Sequence, residues 1–292
     1  MHDFVLVSFR ISPMKNLTAN HPVIDYHIHT KASHDGMGTV EKYCIKAKES
    51  GYRELAFTNH LDLDPGLPHA KTYDHSLFAE EVRDAAGRHP DLTIRIGIEV
   101  TYQSALKKEI ASVMDGIEAD FIMGGIHIIG ATENTISEEE GSRIYFRNKN
   151  STKEAYAPYF EEVLHAVRFG HFDVIGHLDV IKRYGSSIIG QLRIGEFYGF
   201  LRRILEGMIK RDIVLEVNSS GLFHHVREVY PSLDIVKLYR ELGGRRLTIG
   251  SDAHRPEDLG RGLDQVVELI RHAGFNELTL FEKRIPRQVK LP

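Results

Sequence analysis

The sequence of 292 residues has a single cysteine, Cys44. A lone thiol excludes an internal disulfide framework and fits a reducing compartment. Cys44 falls in the apolar rhythm of a helical segment, so it reads as a core residue and not as a nucleophile. No stretch approaches the ~20 consecutive apolar residues that span a bilayer. The N-terminal "FVLVSF" is too short for the core of a signal peptide. The 37 Lys and Arg against 41 Asp and Glu leave a net charge of −4, with neither an acidic tail nor the basic surface of a nucleic-acid binder. The G-x-S-x-G elbow of the serine hydrolases is missing, and so is a phosphate-cradling G-x-x-x-x-G-K-[ST] loop. No internal repeat, low-complexity tract or linker interrupts the chain. A cytoplasmic enzyme acting on a small molecule, with no membrane or nucleic-acid partner, is expected.

With 42% hydrophobic and 27% charged residues, the composition is that of a globular protein with ample core. Short β-branched runs alternate with longer amphipathic ones. The runs at 23–30, 54–60, 93–100, 119–129, 173–181, 213–220 and 247–254 predict seven strands. Helical patterns lie between them, the first from Thr39 as N-cap to Gly51 just past its end. A strict strand–helix order argues for parallel strands with crossover helices, in a closed barrel or an open doubly wound sheet. Residues 131–153 form the longest polar insertion and read as a loop over the active face. Residues 1–22 read as an N-terminal lead or extra strand, and 23–292 as one α/β domain.

The chemistry lies at the ends of these strands. "DYHIHTKASHDG" carries His27, His29 and, in the adjoining loop, His34. The next strands end in His60, Glu99, His127 and His177, and the last in Asp252 and His254. Residues i and i+2 of a strand share a face, so His27 aims with His29 and Asp252 with His254. A closed parallel barrel brings all these ends to one rim, whereas an open sheet would spread them too widely for one cluster. The ligand distribution therefore favours closure. Imidazoles with carboxylates suit zinc, iron or manganese. Nine donors exceed the four of a single tetrahedral zinc, and Glu99 can bridge two ions through its two oxygens. Of the 17 histidines, His2, His21, His69, His75, His89, His165, His171 and His272 read as ordinary surface or core residues.

Together, "DYHIHTKASHDG", "TNH", "GIEV", "GGIHII", "GHLDVI" and "GSDAH" resemble the polymerase-and-histidinol-phosphatase (PHP) superfamily over about residues 23–275. "HLDVIKRYG", "EVNSSGL", "EVYPSLDIVKLYRELG" and "TIGSDAHRPEDLG" are similar to its histidinol-phosphatase branch. The resemblance implies a distorted (β/α)7 barrel with two or three divalent metal ions at the C-terminal rim of the strands. It implies one ion on His27, His29, Glu99 and Asp252, a second on Glu99, His127 and His177, and a third on His34, His60 and His254. His177 stands where many relatives have cysteine. Phe223 stands where the family often has an arginine after "SGL", and Arg227 is the nearest arginine downstream.

The implied reaction is hydrolysis of L-histidinol phosphate to L-histidinol and phosphate in histidine biosynthesis, with a metal-bridging hydroxide attacking phosphorus in line. Lys182 or Arg183 is expected to bind the phosphate oxygens, with Arg227 as a second clamp. Asp252 and His254 are the candidates for protonating the leaving oxygen. Asp62, Glu216 and Tyr102 are positional candidates for recognising the rest of the substrate. Three readings compete. They are another PHP phosphoesterase (a nuclease or a phosphatase of a different small ester), an amidohydrolase, and a barrel that holds metal without catalysis.

Overall fold

In the computed structural model, which describes residues 23–70 and 72–291, the chain folds into a nearly closed parallel barrel. Its strands are β1 (Val23–Ile28), β2 (Tyr52–Phe57), β3 (His60–Leu61), β4 (Thr93–Thr101), β5 (Phe121–Gly125), β6 (Val174–Ile175), β7 (Val214–Asn218) and β8 (Leu247–Gly250). β3 continues β2 after a two-residue break, which gives the seven barrel positions expected. The ring is drawn together between β1 and β8, where His29 N donates to Ala253 O (2.9 Å) and Asp252 N to His27 O (2.9 Å). The expected lead over residues 1–22 lies outside the described residues.

The helices are α1 (Val40–Ser50), α2 (His75–Arg88), α3 (Lys107–Met114), α4 (Glu139–Phe146), α5 (Thr152–Phe169), α6 (Lys182–Ile188), α7 (Ile194–Lys210), α8 (Leu233–Glu241) and α9 (Leu263–His272). α1 starts and stops as its sequence predicts. The Thr39 hydroxyl accepts from Lys42 N, and Gly51 takes the left-handed conformation (φ 79°) that a side chain would resist. Cys44 is buried in this helix beside Val40, Tyr43 and Ala47, as its apolar spacing implied.

Two expectations on extent are corrected. The segment 173–181 is a strand only over Val174–Ile175, after which the chain turns into α6. The insertion 131–153 is no plain loop, because α4 forms inside it. The helix buries Gly141, Ser142, Tyr145 and Phe146. Two of these four are small or polar, so the apolar period is invisible in the sequence. The insertion still meets the active face, for Thr135, Ser137 and Glu138 line the cavity described below.

A hairpin of β9 (Glu277–Glu282) and β10 (Ile285–Lys290) closes the opposite end of the barrel. Its turn residues Lys283 and Arg284 both have positive φ, and their N–H groups donate to Asp120, just before β5. Phe281 stacks on Phe121, which stacks on Tyr26. The barrel is thus plugged below and open above.

Candidate metal centre

The break between β2 and β3 is the first device that builds the site. Asn59 Oδ1 accepts from Thr30 N (2.7 Å), and Asn59 O accepts from Glu99 N (3.1 Å). The chain then resumes pairing with β4 so that His60 lies opposite Glu99. His27, at the end of β1, is fully buried with its Nδ1–H donating to Glu216 (2.6 Å). Asp252 and His177 follow β8 and β6 with left-handed backbones (φ 58° and 24°). Such strain in non-glycine residues persists where the surroundings enforce it, commonly at functional sites.

Glu99 is the centre. Its Oε1 lies 2.7 Å from His177 Nε2 and 3.3 Å from His127 Nε2. Its Oε2 lies 3.3 Å from His27 Nε2, 3.2 Å from His60 Nδ1 and 3.5 Å from His29 Nε2. Five imidazoles therefore surround one buried carboxylate. Asp252 Oδ1 is 3.5 Å from His27 Nε2 and 3.4 Å from His29 Nε2. Burial alone would push the Glu99 carboxyl up, but the surrounding imidazoles hold it well below the usual carboxylate range. Burial, with His254 and His60 beside it, pushes His29 down to about 3, leaving a neutral ring with a free lone pair.

These residues fit metal ions. Donors on a tetrahedral zinc, bound at ~2.0–2.1 Å, lie about 3.3 Å apart, close to the spacings just given. Glu99 Oε2 and His60 Nδ1 are buried without a hydrogen-bond partner. His27 Nδ1 is committed to Glu216, so its Nε2 lone pair faces the His29 Nε2 at 3.0 Å. His254 Nδ1 is committed to Asp252 O (2.9 Å), so its Nε2 faces the Asp35 carboxylate, also at 2.9 Å. Lone pairs meeting at such distances repel unless a proton or a cation lies between them. Three groups around this centre bring donor atoms within 4.8 Å of one another: His27, His29 and Asp252; His27, Glu99 and His177; His29, Asp35, His60 and His254.

Asp35 is the residue that reading the sequence missed. It reaches His254 and His60 (2.9 and 3.3 Å), whereas the adjacent His34 turns towards Asp62 (3.7 Å) and His69. The signal was the Asp-Gly step closing "KASHDG". Gly36 packs so tightly on Thr30 that a Cβ would strike its carbonyl, and this turn swings Asp35 back over the rim. His69, read as ordinary, lines the cavity with His34 and Asp62.

The expected phosphate binders part company. Arg183 lines the cavity, its guanidinium over the Tyr230 ring and its Nη2 3.5 Å from Asp252 and 3.4 Å from Ser220 Oγ. Its Nε is buried with no partner. Lys182 is not at a strand end. It opens α6, buried, with Nζ spent on Asp179 (2.9 Å), Glu228 (3.0 Å) and Val229 O (2.9 Å). Arg227 is exposed, donates to Leu222 O, and does not line the cavity. Of the positional candidates only Asp62 reaches the cavity. Glu216 is fully buried behind His27, and Tyr102 packs on Phe169 and Phe172.

Comparison with known proteins meets the same residues. The model of the PHP domain family matches residues 25–220. A probable histidinol-phosphatase of Clostridium acetobutylicum is 27% identical over 268 residues, which cover 90% of this chain and 98% of that one. The histidinol-phosphatase of Lactococcus lactis is 28% identical over 260 residues, covering 88% and 94%. The crystal structure of histidinol phosphate phosphatase from Lactococcus lactis, complexed with zinc, L-histidinol and phosphate, superposes with a TM-score of 0.81 at 25% identity, over 90% of this chain and 98% of that one.

Proposed function

The chain belongs to the PHP domain family, and on that premise we propose that it is a metal-dependent phosphatase that hydrolyses L-histidinol phosphate to L-histidinol and phosphate. The observation that carries the reading is the gathering of five imidazoles around the buried Glu99 carboxylate, with the unpaired Nε of Arg183 on the same cavity. His27, His29, Glu99 and Asp252 would hold one divalent cation, Glu99, His127 and His177 a second, and Asp35, His60 and His254 a third. Zinc is favoured by the relative that binds it. Such ions, when bound, lower the pKa of water towards 7 and offset charge on phosphoryl oxygens.

The chain's own residues do the rest. Arg183 is fixed over Tyr230 and has Nε free and Nη2 only loosely engaged, so its planar fork is available for two parallel bonds to a phosphate. Asp252 is held by the Ser220 hydroxyl (3.2 Å) and keeps the guanidinium beside the cations' ligands. The reading is tested by giving the zinc- or manganese-loaded protein L-histidinol phosphate, p-nitrophenyl phosphate and a short DNA. Preferred turnover of the first is expected; turnover of DNA alone would replace this reading with a nuclease. Arg183→Ala should raise KM for the phosphorylated substrate by roughly 10- to 100-fold, the range for loss of charged hydrogen bonds. Unchanged kinetics would remove Arg183 from the site.

A further inference from the structure

One group of chemistry-bearing side chains on the cavity is left over by the metal centre. Asp62, just beyond the strand β3 that carries His60, is buried, yet among the described residues no lysine or arginine pairs with it. Its Oδ2 faces His69 Nε2 at 3.4 Å and His34 Nδ1 at 3.7 Å. The rings of His34 and His69 lie face to face, with centroids 3.6 Å apart and planes 8° from parallel. All three residues line the cavity that Glu99 and Arg183 line.

The subsite is anchored. Asp64 accepts from Gly66 N (2.9 Å), from Gln103 Nε2 (3.0 Å) and from the Thr132 hydroxyl (2.9 Å), which ties the loop ahead of His69 to two other segments.

The donor atoms of the group come within 4.8 Å of one another, so a further cation is the first alternative to weigh. The ring geometry opposes it. An imidazole nitrogen directs its lone pair in the plane of its ring. Two parallel planes about 3.6 Å apart share no point, so one ion cannot lie in both. A stacked pair of rings beside a carboxylate instead matches a flat, cationic heteroaromatic or an ammonium group: the rings give a stacking face, and the carboxylate a charged acceptor.

We propose that Asp62, His34 and His69 form the subsite for the leaving alcohol, with the Asp62 carboxylate accepting from its cationic nitrogen and the histidine pair packing against its ring. This rests on the reading of the protein as a histidinol-phosphate phosphatase. It makes these residues determinants of which phosphomonoester is hydrolysed, while Arg183 and the metal ligands handle the phosphate common to all.

The experiment compares kcat/KM for L-histidinol phosphate and for p-nitrophenyl phosphate, which lacks the ammonium and the imidazole, in the metal-loaded wild type, Asp62→Asn and His69→Ala, with metal content measured in each. The ratio of the two values should fall roughly 10²-fold in Asp62→Asn, the loss of a charge-assisted bond. In His69→Ala it should fall about 5-fold, the loss of a stacking contact. Metal content should stay at the wild-type value. An unchanged ratio in both variants overturns the subsite. Equal losses on both substrates, together with loss of an ion, make the group a metal site and also overturn it. If the wild type itself hydrolyses p-nitrophenyl phosphate but not L-histidinol phosphate, the assigned function fails first and the subsite falls with it.

Discussion

The two ends of the barrel bury acids in opposite ways. At the lower end, Glu54 accepts from the Tyr26 hydroxyl (2.5 Å) and from Arg95 Nε (3.1 Å), and it also pairs with Arg287 of the hairpin. Asp120 accepts from Ile96 N and Lys283 N, and Asp173 from Ile122 N and Arg284. Each carboxylate there has fixed donors from the chain. At the upper rim Glu99 has only imidazoles, and one of its oxygens has no hydrogen bond. Burying a charge is unfavourable unless it is paired. The lower end meets that cost within the polypeptide, while the upper end leaves it to be met by cations from solution. The difference separates a structural charge cluster from a functional one more clearly than burial or residue type does.

The comparison breaks most decisively at Glu99. Glu99→Gln keeps the shape but removes the charge around which the donors gather. Turnover should fall roughly 10³-fold or more, matching the several kcal/mol a catalytic metal supplies, and at least one ion should be lost. Glu54→Gln, the matched change below, should leave turnover and metal content at wild-type values. Full activity with full metal content in Glu99→Gln would show that the rim does not depend on external charge.

Stability should divide the same way. Chelation should lower Tm, since each ion bound at a thousandfold excess over its Kd contributes about 4 kcal/mol. Arg95→Ala, which leaves Glu54 and Asp120 short of a partner, should cost about 3 kcal/mol in unfolding free energy and leave kcat unaltered. That loss should be equal with and without chelator. A loss that vanished on chelation would mean that the two ends are coupled, and the division drawn here would fail.

How far this was legible follows from which interactions are local. The strand-end donors were readable because period-two alternation fixes the face of His27 and His29, and because a parallel order forces strand ends together. Closure followed from the ligands themselves. Asp35 was not readable, since its role depends on a turn that Gly36 makes against Thr30. Lys182 was misread because β6 stops at Ile175 and the next helix carries the lysine towards Asp179 and Glu228. A basic pair in sequence thus separates into one structural cation and one on the cavity. The plug at the lower end was wholly invisible, for it is assembled from β2, β4 and a hairpin about 190 residues beyond β4.

The smallest effect tests the layer beneath the rim. Glu216 is fully buried and accepts from His27 Nδ1 (2.6 Å), His177 N (2.7 Å) and Asn218 Nδ2 (3.3 Å). It therefore resembles the lower-end acids, satisfied by donors of the chain, yet two of those donors belong to proposed ligands of different ions. A glutamine has one acceptor oxygen, so in Glu216→Gln either the His27 N–H or the His177 N–H must face an NH2 group. The ring of His27 would lose the carboxylate that orients it and raises its basicity, or the strained backbone of His177 would lose its anchor. Zinc affinity, measured by competition with a chromogenic chelator, should weaken about 10- to 100-fold. At saturating zinc, kcat should return close to the wild-type value, because the substituted side chain touches neither cavity nor substrate. A kcat that stayed low under saturating metal would move Glu216 from positioning into the reaction itself, and the boundary between the satisfied and the unsatisfied acids would have to be drawn one layer deeper.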